Sequence, residues 1–455
     1  MENQNKNILE IMGQFIKRSV TLKVLSIFIL MLLLMIPMAY VKSLIEERES
    51  LRQSTVKEVS DKWANAQTVY GPILTIPLKK RILENGKIKE LQDEAHILPS
   101  SLVIDGKISP QSLHRGIYEV AVYNSNISLS GKFEALSKYI EELNDYDIIW
   151  EDAYLTINIS DLRGIKEKVI VKWNDQLKNV DPGSNLPELM SSGMTLRNVL
   201  DSAPGMDISN KFSFGLQLQG SHYLKFVPLG KETNVQLSSA WNDPSFSGSF
   251  LPDTRNVTEQ GFKAEWKILE LNRNYPQFWI GNRNAEAVKN SSFGVDLLLP
   301  ATDYQKAMRS AKYALLAISL TFLTFFLVEI FNQKKMHPFQ YILIGLSLCL
   351  FYALLLSISE HTNFTLAYLV SSIAIISMIG FYSKAILKNL KKTIVLIAVL
   401  CLTYSFVYIT LQIQDYALLI GSIGLTLILA FTMYITRNIN WYQLNSPKSE
   451  VHVAE

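Results

Sequence analysis

Ionisable residues stand at both ends of a long apolar run in the C-terminal third of the chain. His337 and Pro338 open the run. Glu360 and His361 close it. Histidine and glutamate in or beside a membrane span can relay protons or bind ions, so the pattern raises the hypothesis of a proton or ion pathway. Along one helix, however, His337 and Glu360 would lie roughly 35 Å apart, more than the hydrocarbon thickness. The two ends therefore cannot form one site.

Each end of this run supports two interpretations. In the first, the ionisable residues only start and end a helix at the two membrane surfaces, where their side chains reach water. In the second, each surface holds a site of its own. Glu329 would pair with His337 across a short loop, and Glu360, His361 and Asp415 would share the opposite surface. The first interpretation is favoured because all these residues lie at the membrane margins.

The stretch GSHYL is the clearest candidate for hydrolytic chemistry, because Ser221 stands beside His222. It lacks the second glycine of a nucleophile elbow. Adjacent residues on a strand also point to opposite faces, so these two side chains would not meet. His96 and His114 have no metal-ligand spacing and are interpreted as ordinary strand-end residues. The sequence therefore predicts no enzymatic activity, no cofactor and no metal site.

Length and composition indicate at least two structural units of different kinds. The chain has 455 residues, of which 48% are hydrophobic and 19% are charged, too apolar for a uniform soluble protein and too charged for one buried wholly in lipid. The net charge of +3 does not indicate a nucleic-acid partner. Both cysteines, Cys349 and Cys401, lie in apolar segments, so the polar part cannot form a disulfide.

Six apolar segments are long enough to cross a bilayer as helices. They run over residues 24–41, 313–331, 339–358, 364–382, 393–412 and 416–435. The first is longer than the apolar core of a signal peptide, so it is interpreted as an uncleaved signal anchor. In the short loops and the tail after the second span, basic residues occupy only one side of this arrangement, in Lys334, Lys335, Lys384, Lys388, Lys391, Lys392 and Arg437. Because cytoplasmic loops are enriched in lysine and arginine, both termini are predicted to be cytoplasmic.

The segment between the first two spans is predicted to be β-rich. Residues 42–66 contain helix formers without proline or glycine, which predicts a helical stalk. Gly71 and Pro72 are expected to break that helix before a short apolar strand. Up to about residue 299, apolar and polar residues then alternate with period two, as in an antiparallel sheet or sandwich. Trp241 and Phe246 lie in an aromatic loop interpreted as packing on the sheet, with ligand binding as the alternative.

These elements predict an α+β membrane protein. It has six transmembrane α-helices, one N-terminal and five C-terminal, and a large β-rich extracytoplasmic domain, an antiparallel sheet or sandwich, inserted between the first and second. The predicted organisation is a cytoplasmic N-terminus (1–23), a signal-anchor helix (24–41), the periplasmic domain (42–312) with its stalk (42–66), a five-helix bundle (313–436) and a cytoplasmic tail (437–455).

Several long motifs follow one another in a fixed order along nearly the whole chain. They include GPILTIP, LPSSLVIDG, RGIYEVAVYNSNISLSGKF, GSHYLKFVPLGKETNVQLSSAWNDPSFSGSFLP and HPFQYILIGLSLCLFYALLLSISEHTNFTLAYL. In these motifs the chain resembles the CreD family of bacterial inner-membrane proteins, and it departs from them chiefly in a longer polar N-terminus. The resemblance implies a protein of the cytoplasmic membrane linked to envelope integrity, β-lactam response and colicin tolerance. It supplies no catalytic residue.

Two functions of different classes fit these observations. The favoured one is a non-enzymatic envelope protein, anchored in the lipid bilayer, whose outward domain contacts an envelope protein or a cell-wall component. The alternative is a transporter or channel that uses the five-helix bundle. The spans lack mid-membrane charges and paired broken helices, which disfavours transport. The sequence leaves open whether the bundle transports, signals or only anchors, and it makes no prediction of oligomeric state.

Overall fold

The computed structural model describes residues 20–84, 87–200, 209–297, 303–332, 336–413 and 416–437. The chain divides into two compact units, one made of residues 1–51 and 301–455 and the other of residues 52–300. The first unit contains the apolar helices, and the second contains the strands. The second unit is narrower than the predicted domain of residues 42–312, because residues 42–51 and 303–312 pack with the apolar helices.

Nine α-helices occur within the described residues. They are α1 (Val20–Trp63), α2 (Ile140–Leu143), α3 (Ala285–Asn290), α4 (Asp303–Lys312), α5 (Ala314–Asn332), α6 (Pro338–Ser359), α7 (Phe364–Leu387), α8 (Leu390–Gln412) and α9 (Ala417–Thr436). Of these, α1 and α5 to α9 are long and apolar enough to cross a membrane. One N-terminal and five C-terminal apolar helices are therefore confirmed. The predicted N-terminal segment up to residue 19 and the tail beyond residue 437 lie outside the described residues.

Helix α1 packs on the other apolar helices through one narrow stripe. Its buried side chains, Ile27, Leu30, Leu34 and Met38, recur every three or four residues, which places them on one face. A methyl group added to Gly345 of α6 would overlap the Leu34 side chain. The glycine therefore allows the two helices to approach closely, as small residues do in membrane helix pairs.

The β-rich unit consists of two mixed sheets. Its strands are β1 (Gln67–Glu84), β2 (Lys87–Ile97), β3 (Ser101–Arg115), β4 (Tyr118–Lys132), β5 (Asp147–Ile148), β6 (Tyr154–Ile159), β7 (Ile170–Trp173), β8 (Gln176–Asn179), β9 (Asp181–Pro182), β10 (Gly193–Arg197), β11 (Lys211–Ser221), β12 (Tyr223–Phe226), β13 (Glu232–Ser239), β14 (Pro244–Gly248), β15 (Thr254–Thr258), β16 (Gly261–Leu269), β17 (Phe278–Ile280) and β18 (Phe293–Leu297). One sheet has the order β14-β18-β12-β1-β6-β10-β9, with β2, β5 and β17 joined to it, and the other has the order β15-β16-β13-β3-β4-β11-β7-β8.

The two sheets share one hydrophobic core. Along β3, buried Leu102, Ile104 and Ile108 alternate with side chains that are exposed, as the period-two pattern predicts. Trp266 of one sheet lies 5.7 Å from Phe293 of the other, measured between ring centroids. The sheets are not purely antiparallel, since β1 pairs with β12 and β13 pairs with β3 in parallel. Parallel pairs require long crossovers, which the local alternation cannot predict.

The expected helix break at Gly71 and Pro72 is wrong. Helix α1 already ends at Trp63, and both residues lie inside β1, where the pairing with β6 shifts register between Tyr70 and Ile73. Pro72 has no N–H to donate to the hydrogen bonds between β1 and β6, which accounts for the shift in register. Gly71 has φ +122°, and a Cβ there would lie 3.0 Å from the Thr156 carbonyl oxygen. This bend therefore requires glycine.

Candidate functional site

The β-rich unit contains an open cleft at the β1–β2 edge of its larger sheet. The cleft has a volume of about 470 Å³, within the usual range of ligand sites. Its lining residues are Pro77, Leu78, Lys79, Gln92, Asp93, Glu94, Ile149, Asp152, Glu188, Gly281 and Asn282. Four of these are carboxylic acids and one is a lysine, so the described lining is acidic at neutral pH.

Two hydrogen bonds lie beneath the cleft on three neighbouring strands. Thr75 of β1 is the direct cross-strand partner of His96 on β2 and of Tyr154 on β6. The Thr75 hydroxyl lies 3.1 Å from His96 Nδ1. The Tyr154 phenol donates to Glu94 Oε1 across 2.8 Å. Sheet register therefore brings a buried histidine close to a carboxyl group that lines the cleft.

Burial determines the protonation of these groups. Burial raises the pKa of Glu94, and the nearby carboxylates of Glu188 and Asp93 raise it further, whereas the hydrogen bond from Tyr154 opposes the shift. Burial lowers the pKa of His96 to about 4, so its imidazole is neutral at pH 7. Burial and the hydrogen bond to Glu94 together raise the pKa of the Tyr154 phenol, which stays protonated.

A small recess adjoins the cleft and shares Glu188, Gly281 and Asn282 with it. The recess has a volume of about 10 Å³, and His96 and Trp279 line it with aliphatic side chains. His96 is only 2% exposed, and its ring centroid lies 5.4 Å from that of Trp279. Among the residues that the structure describes, no side chain or backbone group hydrogen-bonds His96 Nε2.

His96 was interpreted from the sequence as an ordinary strand-end residue, and it is the next-to-last residue of β2. The side chain is buried, hydrogen-bonded and placed in the wall of the recess. The sequence contains one weak signal of this site: Glu94 and His96 stand two apart on one strand and therefore share a face. Their partners are distant in sequence, so the site itself could not be predicted. Within the described residues, no group of three histidine, cysteine, aspartate or glutamate side chains is arranged to hold a metal ion.

Glu329 joins three helices at one end of the helical unit. Its carboxylate is 7% exposed and forms an ion pair with Lys23 of α1. It also accepts from the Met336 backbone N–H at 2.9 Å and from the Tyr341 hydroxyl of α6 at 3.1 Å. The expected pair with His337 is absent among these contacts. His337 instead caps α6, where its Nδ1 accepts from the Phe339 N–H at 3.2 Å and Pro338 is the first helical residue.

Glu360, at the opposite end of α6, contacts two other helices, α4 and α1. It accepts a hydrogen bond from the Tyr304 hydroxyl of α4 at 3.0 Å, and it lies 3.7 Å from Arg48 Nε of α1. His361 follows it and is exposed, and Asp415 lies outside the described residues. Helix α1 is therefore fastened to the other apolar helices through Lys23 near one end and Arg48 near the other.

Comparison with known protein families identifies the chain. Residues 19–442 match the family described as "Inner membrane protein CreD". The chain belongs to the CreD family. The Inner membrane protein CreD of Escherichia coli (strain K12) is 32% identical over 430 residues, which cover 94% of each chain. With six apolar helices within its described residues, this CreD-family chain is a multi-pass inner-membrane protein of the bacterial envelope.

Two solved structures of one enzyme resemble this CreD-family chain only weakly. A crystal structure of an M1 zinc metallopeptidase mutant from Deinococcus radiodurans has a TM-score of 0.21 and 8% identity, over 41% of this chain and 42% of that one. The same enzyme with a bound peptide substrate has a TM-score of 0.20 and the same identity and coverage. Scores this low carry no argument about fold or function.

The aromatic loop of the CreD-family chain is partly a strand. Phe246 lies in β14, which pairs with β18, and its ring makes edge contacts with Phe262 and Trp266 at centroid distances of 5.6 and 5.8 Å. The Trp241 indole donates to the Asp243 carbonyl at 3.0 Å within its own loop. Both side chains are half-buried. Phe246 and Trp241 therefore both pack against the hydrophobic core of the β-rich unit.

Proposed function

We propose that this protein maintains the bacterial envelope under stress, including tolerance to colicins and the response to β-lactams, without enzymatic activity. Its β-rich unit would bind an envelope protein or a cell-wall component, and the apolar helices would hold that unit at the inner membrane. Membership of the CreD family supports the envelope setting. The acidic cleft carries the proposal, because it is an open site of ligand size with polar groups that converge on it.

The charge pattern supports a periplasmic position for the β-rich unit. Lys384, Lys388, Lys391 and Lys392 cluster where α7 ends and α8 begins. Under the positive-inside bias this cluster supports a cytoplasmic loop, with both termini in the cytoplasm and the cleft on the outer side in the proposed orientation. The pair Lys334 and Lys335, on which the same argument draws, lies outside the described residues.

The geometry around Ser221 supports a non-enzymatic function. The Ser221 Oγ is buried and has no hydrogen-bond partner among the described residues, whereas the His222 Nε2 lies 3.1 Å from Ser60 Oγ. A serine nucleophile needs a base within hydrogen-bond reach, and His222 is engaged elsewhere. Burial also lowers the pKa of His222, which reduces its strength as a base.

The contacts of Glu329 disfavour the transport alternative. The residue was the main candidate for an ion pathway, but its carboxylate is held by a lysine, a tyrosine and a backbone amide at the end of α5. A carboxylate that accepts from this many donors stabilises the packing of helices. In the proposed function, the helical unit is therefore a membrane anchor.

Complementation of a strain that lacks the protein tests the proposal. One variant would carry the β-rich unit on α1 alone, and a second would carry the apolar helices without the β-rich unit. Immunoblots of isolated membranes would first show that each variant inserts. We expect only the first to restore resistance to colicins and β-lactams. Restoration by the helices alone would contradict the proposal and would direct attention to Glu329, His337, Glu360 and His361.

A further inference from the structure

We propose that the basic face of helix α4 binds the headgroups of anionic phospholipids at the membrane surface where α6 ends and where α5 and α7 begin. The basic face consists of Lys306, Arg309 and Lys312. The inference goes beyond the proposed function, because it concerns the helical unit and not the cleft of the β-rich unit. Three properties of α4 carry it: its position, the arrangement of its side chains and its charge.

Both ends of α4 lie at the level where membrane-spanning helices end. The Tyr304 hydroxyl donates to Glu360 Oε1 across 3.0 Å, and Glu360 directly follows the last residue of α6. The Lys306 ammonium lies 5.8 Å from the ring centroid of Phe364, the first residue of α7. At its other end, one residue, Tyr313, separates α4 from α5. Because apolar spans of this length end at the headgroup region, α4 lies at that level along its whole length.

The side chains of α4 form a buried face and a basic face. The helix contacts α5, α6, α7 and α8. Its buried residues are Tyr304, Ala307, Ser310 and Ala311. With 3.6 residues per turn, Lys306, Arg309 and Lys312 fall within about 120° on the opposite side. Lys312 is exposed, and the other two are half-buried. The helix therefore packs on its neighbours through one face and presents three cations on the other, as helices at a membrane surface do.

The charges around α4 favour an anionic partner. The helix has three basic residues and one acidic residue, Asp303, so its net charge is +2 at neutral pH. Asp303 lies 4.0 Å from Lys306 and offsets part of its charge. Glu360 beside α4 adds a negative charge, but it lies 3.7 Å from Arg48, which balances it. The described charges at this surface therefore leave an excess of positive charge, which attracts anionic lipid.

Two of the cations have no partner in the part of the chain that the structure describes. The side chains of Arg309 and Lys312 form neither a hydrogen bond nor an ion pair there. Lys312 stands three residues before Leu315, which is 46% exposed at the start of the apolar helix α5. A phospholipid whose acyl chain contacts Leu315 would place its phosphate close to Lys312. Phosphate oxygens accept strong, charge-assisted hydrogen bonds from arginine and lysine.

The net charge of the headgroup determines which phospholipid is preferred. Phosphatidylcholine carries a phosphate and a quaternary ammonium group, so its headgroup is neutral overall. Phosphatidylglycerol carries the phosphate alone. Each lysine or arginine near an anionic membrane surface increases binding roughly 5-fold. The basic face should therefore select phosphatidylglycerol over phosphatidylcholine.

Photo-cross-linking of the full chain in vesicles tests the inference. Gln305 is exposed and lies one turn before Arg309 on the same face, and it would be replaced by the photoreactive p-benzoylphenylalanine. The vesicles would contain equal amounts of phosphatidylglycerol and phosphatidylcholine, and mass spectrometry would identify the cross-linked lipid. We expect phosphatidylglycerol to be enriched about 5- to 20-fold. The variant Arg309→Gln/Lys312→Gln should remove most of this enrichment.

Two further variants separate the basic face from net charge and from folding. Lys107→Gln/Lys211→Gln removes two exposed cations from the β-rich unit and should leave the enrichment unchanged. Arg309→Lys/Lys312→Arg keeps both charges of the basic face and should also retain it. The unfolding midpoint of each variant in detergent would be measured beside that of the wild type.

A soluble competitor distinguishes a lipid from a free anion. Glycerol 3-phosphate has the phosphate of the lipid headgroup but no acyl chains. We expect an excess of it to leave the enrichment unchanged relative to sodium chloride at the same ionic strength. Loss of the enrichment with glycerol 3-phosphate alone would overturn the lipid assignment in favour of a free anion.

Three other results would overturn the inference: no cross-linked lipid, equal cross-linking of the two lipids in the wild-type background, or unchanged enrichment in Arg309→Gln/Lys312→Gln. The proposed function fails separately, when the β-rich unit on α1 does not restore the envelope phenotype. Restoration without lipid selection at α4 would remove only the lipid site.

Discussion

The Tyr154 hydroxyl donates to Glu94 across 2.8 Å, and Thr75 on the strand between them lies 3.1 Å from His96 Nδ1. These contacts bring a buried histidine close to a carboxyl group in the wall of an open cleft. They depend on three strands in register, β2, β1 and β6. The chemistry of the cleft is thus determined by the pairing of strands more than by any local motif.

The variant Glu94→Gln should be more stable than the wild type at neutral pH. The pKa of Glu94 is raised in the folded state, so its favourable contribution exists below the unfolded pKa and is lost as the pH rises through the folded one. Glutamine keeps the acceptor for Tyr154 without the buried charge. Differential scanning fluorimetry should show a higher Tm for the variant at pH 7 and a smaller difference near pH 4. A lower Tm at pH 7 would contradict this account.

The variant Glu329→Gln should loosen helix α1 from α5 and α6. Glutamine retains the size of the side chain but removes the negative charge that pairs with Lys23, at a cost of roughly 1 to 3 kcal/mol. The apparent Tm of the full chain in detergent should fall. Glu46→Gln is the matched control, since Glu46 is exposed on α1, the helix that carries Lys23. Ion flux in vesicles that disappears in Glu329→Gln while the Tm is unchanged would revive the transport alternative.

The variant Asp161→Asn should lose stability in a pH-dependent way. Asp161 accepts from Arg163 and from the Asn65 N–H, and the hydrogen bond from Arg163 lowers its pKa to about 2. Because the folded pKa is depressed, the contribution is present above about pH 4 and is lost as the pH falls towards 2. Arg163 is largely exposed, so the loss at pH 7 should be roughly 1 to 2 kcal/mol. Equal stability of variant and wild type at pH 7 would contradict the prediction.

Substitution of Phe246 and of Trp241 should lower stability in both cases. Phe246→Ala removes ring contacts with Phe262 and Trp266 and should cost roughly 2 kcal/mol of unfolding free energy. Trp241→Ala removes the packing of a half-buried indole against the core and a hydrogen bond within its own loop, and should cost roughly 1 to 2 kcal/mol. Chemical denaturation in detergent measures both. A stable Trp241→Ala variant that fails to support envelope integrity would assign this loop a binding role.

Local patterns in the sequence were sufficient to predict the number and order of the apolar helices and the presence of the β-rich unit. A span is a property of about 20 consecutive residues, and a half-buried strand is a property of alternate residues, so neither needs distant information. Helix α4 was missed because its ten residues are polar on one side and too short to span. Its buried Tyr304 and Ala307 lie one turn apart, a signal that one short amphipathic helix gives only weakly.

The candidate site could not be predicted in the same way. Its lining comes from residues 77–79, 92–94, 149, 152, 188 and 281–282, which only the sheet topology brings together. Likewise, the sequence offered only the nearby His337 as an alternative partner for Glu329, whereas its charged partner Lys23 is 306 positions away in sequence. Ion pairs across helices depend on packing, and sequence proximity is a poor guide to them.

The most direct test of the account is whether the acidic cleft is needed for envelope integrity. A strain that lacks the protein would express Glu188→Gln or Glu259→Gln at equal membrane levels, and its survival with colicins and β-lactams would be measured. The account predicts that Glu259→Gln restores survival fully and that Glu188→Gln does not. Full restoration by both variants would contradict a role for the cleft.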